Sequence, residues 1–208
     1  MPRTFELIAG HPALDLVNTL DHRFRNTPTE ELLVTYEDLL QFALQTGLLT
    51  DRQEKKLRRL EAPPSERAQV LAHTRQLREA LATILYARLE GRELPESALI
   101  TLEAFFHQAA QHRHLGVETN PGQLPLTWTW RSLSRQAAAP LWLLAQSAAD
   151  LLLSSRAAHI SSCNSETCHW LFLDTSKNHS RRWCDMKGCG NRMKARRFHA
   201  SRSAGHAE

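Results

Sequence analysis

The chain has 208 residues, 42% of them hydrophobic and 23% charged, a composition typical of a soluble globular protein with a real core. Its net charge of +4 is unevenly divided: residues 1–153 carry 16 Lys and Arg against 18 Asp and Glu (net −2), whereas residues 154–208 carry ten against four (net +6). The N-terminus shows no secretory signal, and the most apolar stretch, residues 137–153, is interrupted by Pro140 and Asp150, so we expect a cytoplasmic protein.

Short elements are predicted at the start of the chain. Alternating apolar residues predict a strand over 4–8, and apolar residues at helical spacing predict a helix over 11–23. Thr35 is placed to cap the next helix, because Asp38 follows three residues later and can complete a capping box. Gly47 is a plausible end for that helix, since glycine readily takes the left-handed conformation found at helix ends.

Longer helices are predicted in the middle of the chain. A charged helix is expected over 50–61, a long amphipathic one over 65–90, and another over 95–111. The strict alternation of apolar and polar residues over 124–130 predicts a strand with one buried face. The nearly all-apolar segment 137–160 is predicted to be the central buried helix.

All four cysteines lie after residue 160. Cys163, Cys168, Cys184 and Cys189 form two C-x4-C pairs separated by 15 residues, and two close pairs can supply the four thiolates of a tetrahedral zinc site. Binding of one zinc ion would contribute folding free energy to a segment too small to bury a core of its own. Two disulfides are the alternative, which an intracellular location disfavours.

The segments around these cysteines predict a compact finger. Residues 170–174 and 180–183 are predicted to form a β-hairpin between the two cysteine pairs, and a helix that starts at Cys189 would donate the last ligand. This is the layout of a treble-clef finger. The predicted fold is therefore α+β: a mainly helical N-terminal domain with a few short strands over 1–160, followed by a small treble-clef-like zinc finger over 161–208.

Several motifs resemble known families. Residues 189–192 read Cys-Gly-Asn-Arg, the signature of the CGNR zinc fingers, and residues 170–176 and 181–184 are also similar to that family. Residues 10–19, Gly-His-Pro-Ala-Leu-Asp-Leu-Val-Asn-Thr, resemble the opening of the ABATE domain, the usual N-terminal partner of this finger. The resemblance implies a zinc-binding bacterial transcription regulator whose partner is DNA.

The segment around and after the last cysteine is strongly basic, with eight cations in the 22 residues 181–202. Such a set can neutralise phosphates and give affinity for any duplex, and Arg192, near the start of the helix, could also read a guanine edge. The alternative is a solvated basic tail. The candidate nucleic-acid-binding residues are Arg181, Arg182, Lys187, Arg192, Lys194, Arg196 and Arg197.

Two other functions stay open for the finger. Trp170, Phe172 and Trp183 could stack on bases, so exposed aromatic rings would favour RNA or single strands and buried rings would favour duplex DNA. A zinc-stabilised protein-interaction module would instead bind its partner without dependence on salt.

Polar residues cluster around the first predicted helix. His11, Asp15, Asn18 and Arg23 are candidate ligand-binding residues, because Asp15 and Asn18 share a face beside apolar neighbours. The cluster is either a pocket for a small-molecule effector or a satisfied polar network that fixes the helix to the core. Neither a nucleophile nor a glycine-rich phosphate loop lies beside it, so we do not predict an enzyme. The N-terminal domain would sense an effector or form a homodimer.

Overall fold

The structure is a computed structural model that describes residues 3–117 and 125–196. Its α-helices, numbered in chain order, are α1 (Pro12–Asn18), α2 (Tyr36–Gln45), α3 (Asp51–Arg58), α4 (Pro64–Leu89), α5 (Glu96–Gln111) and α6 (Ala139–Leu152). Its strands are β1 (Leu20–Asp21), β2 (Glu30–Glu31), β3 (Arg113–Val117), β4 (Leu126–Trp130), β5 (Ile160–Ser162) and β6 (Leu171–Leu173). They pair antiparallel in sequence order, two by two. The predicted α+β class is confirmed.

Local sequence signals set the helix ends. Thr35 accepts a hydrogen bond from the Asp38 amide while the Asp38 carboxylate accepts from Thr35, so the predicted capping box is present. Thr50 caps α3 in the same way with Gln53. Gly47 has a φ of 75°, as expected of the glycine that ends α2.

The core lies where α1, α2, α4 and α5 pack around α6. Leu77 and Leu81 of α4 are fully buried, which confirms the apolar stripe predicted for that helix. α6 buries most of its length, as the sequence predicts, but it ends at Leu152 and a short 3-10 turn, Ser155–His159, follows. Within the described ranges, no helix has the length and apolarity needed to cross a bilayer.

One strand prediction is wrong, and another is right about the strand but wrong about the burial of its apolar face. Residues 4–8 form no strand; Phe5 is buried in extended chain, and its amide donates to the side chain of Gln45. β4 does form, paired with β3, but its apolar face is only partly covered: Trp130 packs against the core, whereas Trp128 is 57% and Leu126 50% exposed. Alternation indicates an extended chain with two unlike faces, and only packing decides which face is covered.

The predicted hairpin between the cysteine pairs is also wrong. β6 pairs with β5, which precedes the first cysteine, with Ile160 opposite Leu173. Residues 180–183 form an irregular segment that follows a loop held by Asp174, whose carboxylate accepts from the Ser176 and Arg181 amides. Residues 160 and 161, between which the sequence placed a domain boundary, are both part of β5.

Candidate metal centre and adjoining cleft

The four cysteine sulfurs converge at one buried point. Cys163 follows β5, Cys168 precedes β6, Cys184 lies in a loop, and Cys189 lies in the π-helical turn Met186–Gly190. Their Sγ atoms are all within 4.8 Å of one another. The Sγ atom of Cys184 is 3.6 Å from that of Cys168 and 3.6 Å from that of Cys189. Four thiolates at about 2.3 Å from zinc lie about 3.8 Å from one another. The cluster therefore fits one tetrahedral zinc ion.

Electrostatics at the cluster also favour a cation. The thiols of Cys168 and Cys184 donate hydrogen bonds to Cys163 and lower its pKa. The same contacts with Cys163 raise the pKa of Cys168 and of Cys184. Several thiolates cannot lie side by side in a buried cluster unless a cation balances them. Arg192 contributes one positive charge, since its Nη2 donates to Cys189 Sγ at 3.2 Å. A thiolate-bound zinc ion would supply the rest.

The turn that carries the last ligand is closely packed around Gly190. Asp185 precedes the turn, and its carboxylate accepts from the Gly188 amide at 2.6 Å while its carbonyl accepts from Gly190. A Cβ atom at Gly190 would lie 2.8 Å from Met186 Sδ and 3.3 Å from the Trp183 ring. The glycine of the Cys-Gly-Asn-Arg motif therefore allows close packing beside the metal site. Residues 191–196, which follow it, are helical.

The basic residues predicted to bind nucleic acid fall into two groups. Five are exposed around the second cysteine pair: Arg182, Lys187, Arg192, Lys194 and Arg196. Of these, Arg196 also lies 3.5 Å from Glu166 in an exposed ion pair. Pairs of this kind contribute only about 0–1 kcal/mol, so Arg196 can change partner at little cost.

Arg181 and Arg192 also make contacts within the protein. Arg181 is engaged within the protein: its guanidinium donates to the carbonyls of Trp183, Ile8 and Cys184. Arg192 is directed toward the metal centre through its contact with Cys189. Arg197 lies outside the described residues.

The three aromatic residues proposed for base stacking are covered to different extents. Phe172 is fully buried beneath the Arg181 guanidinium, whose carbon is 4.3 Å from the ring centroid. Trp170 is half-buried, and its indole nitrogen donates to Asp21 at 2.8 Å. Trp183 is half-buried and packs with the cysteine cluster. No open row of stacking rings is present in the described part of the finger.

The finger is fixed to the helical part by polar contacts with the start of the chain. The Asn18 side chain bonds both backbone groups of Leu171, donating to its carbonyl at 2.9 Å and accepting from its amide at 3.0 Å. The Leu173 amide donates to the Ala9 carbonyl at 2.8 Å. Leu171 and Leu173 also belong to the main hydrophobic core. β6 is therefore shared by the finger and the helical part.

The four candidate ligand-binding residues do not form one site. His11 caps α1, where Nδ1 accepts from the Ala13 amide, and Arg23 makes a two-pronged ion pair with Glu79. The amide group of Asn18 is fully engaged by the backbone of Leu171. Asp15 is buried, and burial raises the pKa of its carboxyl to about 6, against a hydrogen bond from the Ala9 amide that lowers it.

Asp15 and Asn18 do share a cleft between the helical part and the finger. The cleft has a volume of about 340 Å³. Its walls include residues from both parts of the molecule, among them Phe5, Asp15, Asp21, Trp170, Asp185 and Arg192. The cleft also reaches the metal centre, because Cys168, Cys184 and Cys189 line it.

Two residues outside the set of candidate ligand-binding residues join the parts at this cleft. Arg25 donates from Nε to the Thr167 carbonyl at 2.6 Å, and Asp21 accepts from Trp170. Because these partners are more than 140 positions apart, no local pattern in the sequence signals them.

Comparison with family models gives two matches along the chain. Residues 10–155 match the ABATE model, described as "Putative stress-induced transcription regulator", and residues 159–202 match the CGNR zinc finger model. Neither description names an enzyme. No curated protein matches the chain. The two matches occur in the order that the sequence motifs indicate, so the predicted resemblance is confirmed.

Proposed function

Because the chain belongs to the ABATE family, with a CGNR zinc finger after it, we propose that it is a zinc-dependent DNA-binding regulator of transcription in the cytoplasm. The finger contacts duplex DNA, and the helical part senses a small-molecule effector or forms a homodimer. The four cysteines hold one zinc ion, which orders the segment that carries the DNA contacts.

The distribution of cations around the metal centre carries this proposal. Arg182, Lys187, Lys194 and Arg196 are exposed on residues 182–196, the segment that contains the second cysteine pair. Positive charges held on one small ordered unit can meet several phosphates together, whereas residues 1–153 have a net charge of −2. Phosphate contact is therefore the interaction best supported by this surface.

The environment of the aromatic residues favours duplex DNA over single strands. Phe172 is fully buried and cannot stack on a base, and the indole nitrogen of Trp170 is held by Asp21. Proteins that bind single strands rely on exposed rings for much of their affinity. We therefore place the RNA-binding alternative second.

A base-reading role for Arg192 has a competitor within the protein. Its guanidinium donates to Cys189 Sγ, so a bidentate contact with guanine would require it to leave the metal ligand. Arg181 has a similar constraint, because Trp183, Ile8 and Cys184 accept its hydrogen bonds. The proposed interface consequently rests on the four exposed cations that do not contact a metal ligand, which are Arg182, Lys187, Lys194 and Arg196, with Arg197 as a further candidate.

The test is salt-dependent binding of duplex DNA by the full-length, zinc-loaded chain, measured by fluorescence anisotropy. The logarithm of affinity should fall linearly with the logarithm of salt concentration, with a slope of about −0.9 for each phosphate neutralised. The double variant Lys187→Gln, Lys194→Gln should weaken binding to all sequences alike and reduce the slope by about 2. Lys56→Gln, an exposed lysine on α3, is the matched control and should change nothing.

Other results would redirect the proposal. Tighter binding to single-stranded RNA than to duplex DNA would favour the RNA alternative. If the zinc-loaded protein shows no salt-dependent binding to either nucleic acid, the finger is a protein-interaction module instead.

A further inference from the structure

The cleft between the helical part and the finger has the properties of a small-molecule site. Its volume of about 340 Å³ is in the range of protein sites for small organic ligands, about 300–1,000 Å³. Aromatic side chains line it from both sides, with Phe5 and Phe42 on the helical part and Trp170 on the finger. An occupant would therefore contact both parts at once.

Asp15 is the distinctive polar group of this cleft. The residue is only 6% exposed, and its Oδ1 accepts from the Ala9 amide at 3.0 Å. None of the ion pairs formed within the described ranges includes Asp15. A buried carboxylate without a counter-charge is unfavourable, and burial accordingly raises its pKa to about 6. A cation from outside the chain would relieve this cost.

The charges around the cleft also favour a cation. Four acidic side chains and two arginines line it: Glu6, Asp15, Asp21, Asp185, Arg25 and Arg192. Both arginines already donate to groups of the finger, Arg25 to the Thr167 carbonyl and Arg192 to Cys189 Sγ. Cys168, Cys184 and Cys189 line the cleft as well, and a zinc ion with four thiolates has a net charge of −2. The lining therefore has an excess of at least two negative charges, which attracts a positively charged ligand.

We propose that this cleft binds a small organic amine, with its ammonium group paired with Asp15 and its apolar part against Phe5, Phe42 and Trp170. Aromatic walls suit such a ligand, because a ring attracts a cation to its face and also buries apolar surface. The site gives a chemical class to the effector of the sensing role proposed above and rests on that proposal. Because Trp170 and Asp185 belong to the finger, binding of the amine can change the position of the DNA-binding segment.

The experiment is calorimetric titration of the zinc-loaded full-length chain with 2-phenylethylamine, in phosphate buffer so that no buffer amine competes. At about pH 7.5 the amine is protonated and Asp15 is mostly ionised. We expect one saturable site per chain. The neutral analogue 2-phenylethanol has the same ring and nearly the same size, and it should bind at least about tenfold more weakly, since it cannot form the ion pair.

Two variants test the role of Asp15. Asp15→Asn retains an oxygen that can accept from the Ala9 amide but removes the charge, so it should weaken amine binding at least about tenfold. Glu103→Gln removes one negative charge from an exposed position on α5, far from the cleft in the sequence and absent from its lining, and should bind the amine like the unmodified chain. Zinc content and circular dichroism establish that each variant is folded.

The proposal is overturned if the amine does not bind, if 2-phenylethanol binds equally well, or if folded Asp15→Asn keeps the full affinity. The comparison of the two probes needs no variant, so it decides the matter even where Asp15→Asn fails to fold. Duplex binding is measured on the same preparation. Salt-dependent DNA binding without amine binding rejects the cleft but keeps the proposed function, and amine binding without DNA binding does the reverse.

Discussion

The helical part and the finger of this protein are stabilised by different means. The helical part has a core of fully buried aliphatic side chains such as Leu14, Leu77 and Leu81, so its stability comes mainly from the removal of apolar surface from water. The buried cluster of the finger consists of the four cysteines and Phe172, with Trp170 and Trp183 packed at its edge. Without metal, the burial of these sulfur atoms and of the little apolar area around them is not enough to offset the cost of ordering the finger.

Despite this contrast, the finger is not packed separately from the helical part. Ile160, Leu171 and Leu173 belong to the main core, and Asn18 completes the hydrogen bonding of β6 from the other part. The metal centre thus orders one side of the finger and the helical part orders the other. A change at the metal should act first on the finger, and a change in the core should act on the chain as a whole.

The largest expected effect follows from loss of a metal ligand. Cys184→Ser should abolish the binding of one zinc per chain, because structural zinc sites contribute on the order of 10 kcal/mol to folding. We expect disorder of the finger, seen as loss of the near-ultraviolet circular dichroism of Trp170 and Trp183, and loss of DNA binding. Elemental analysis measures the zinc. Ser180→Ala, at a nearby exposed position, should retain it; a zinc-loaded, fully folded Cys184→Ser chain would contradict the four-cysteine site.

A cavity in the helical core should have a different signature. Leu81 is fully buried, so Leu81→Ala should lower the free energy of unfolding by about 2–5 kcal/mol. Leu99, on α5, is 43% exposed, so Leu99→Ala should cost much less. Urea unfolding in saturating zinc measures both. Each variant should still hold one zinc when folded. Loss of zinc by folded Leu81→Ala would show that zinc binding depends on the packing of the helical core.

The hydrogen bonds that Asn18 makes with Leu171 of the finger can be tested by substitution. Asn18→Ala would leave the buried amide and carbonyl of Leu171 without partners, at a cost of about 2–4 kcal/mol. Urea unfolding measures the loss, and Asn26→Ala, at an exposed position, is the control. A loss below about 0.5 kcal/mol would mean that the finger is held to the helical part mainly by other contacts.

The smallest expected effect concerns Asp15 and pH. Its carboxyl has a pKa of about 6 in the fold, against 3.8 ordinarily, so the folded state takes up the proton first as pH falls. The contribution of Asp15 to stability should therefore rise as pH falls through about 6, until the unfolded chain is also protonated. Relative to Asp15→Asn, the unmodified chain should gain about 1 kcal/mol between about pH 7.5 and 5.5.

Thermal or urea unfolding of both chains in saturating zinc, at a series of pH values, measures this difference. Comparison of the two chains removes the pH dependence of zinc binding, which they share. If the difference in unfolding free energy between the two chains does not change with pH, the pKa of Asp15 is not raised in the folded state.

Much of the local structure could be predicted from short-range signals. The capping residues Thr35 and Thr50, the glycine that ends α2 and the buried stripe of α4 all depend on neighbours a few positions away. The spacing of the cysteines predicted the metal site, because four thiols of one chain segment have few other uses in a reduced protein. The partner of β6 was not predicted, because neighbouring segments on either side were both plausible.

The sequence by itself determined where most helices lie, though not where each one ends, which four side chains can hold zinc, and where positive charge accumulates. These properties follow from backbone propensity, ligand chemistry and composition, which act locally along the chain. Tertiary structure decided that Leu126 and Trp128 on the apolar face of β4 stay exposed, that Asn18 pairs with Leu171, and that Asp15 lines a cleft shared with the finger. Each of these depends on contacts between residues far apart in the sequence, and which surfaces meet is settled only when the whole core packs.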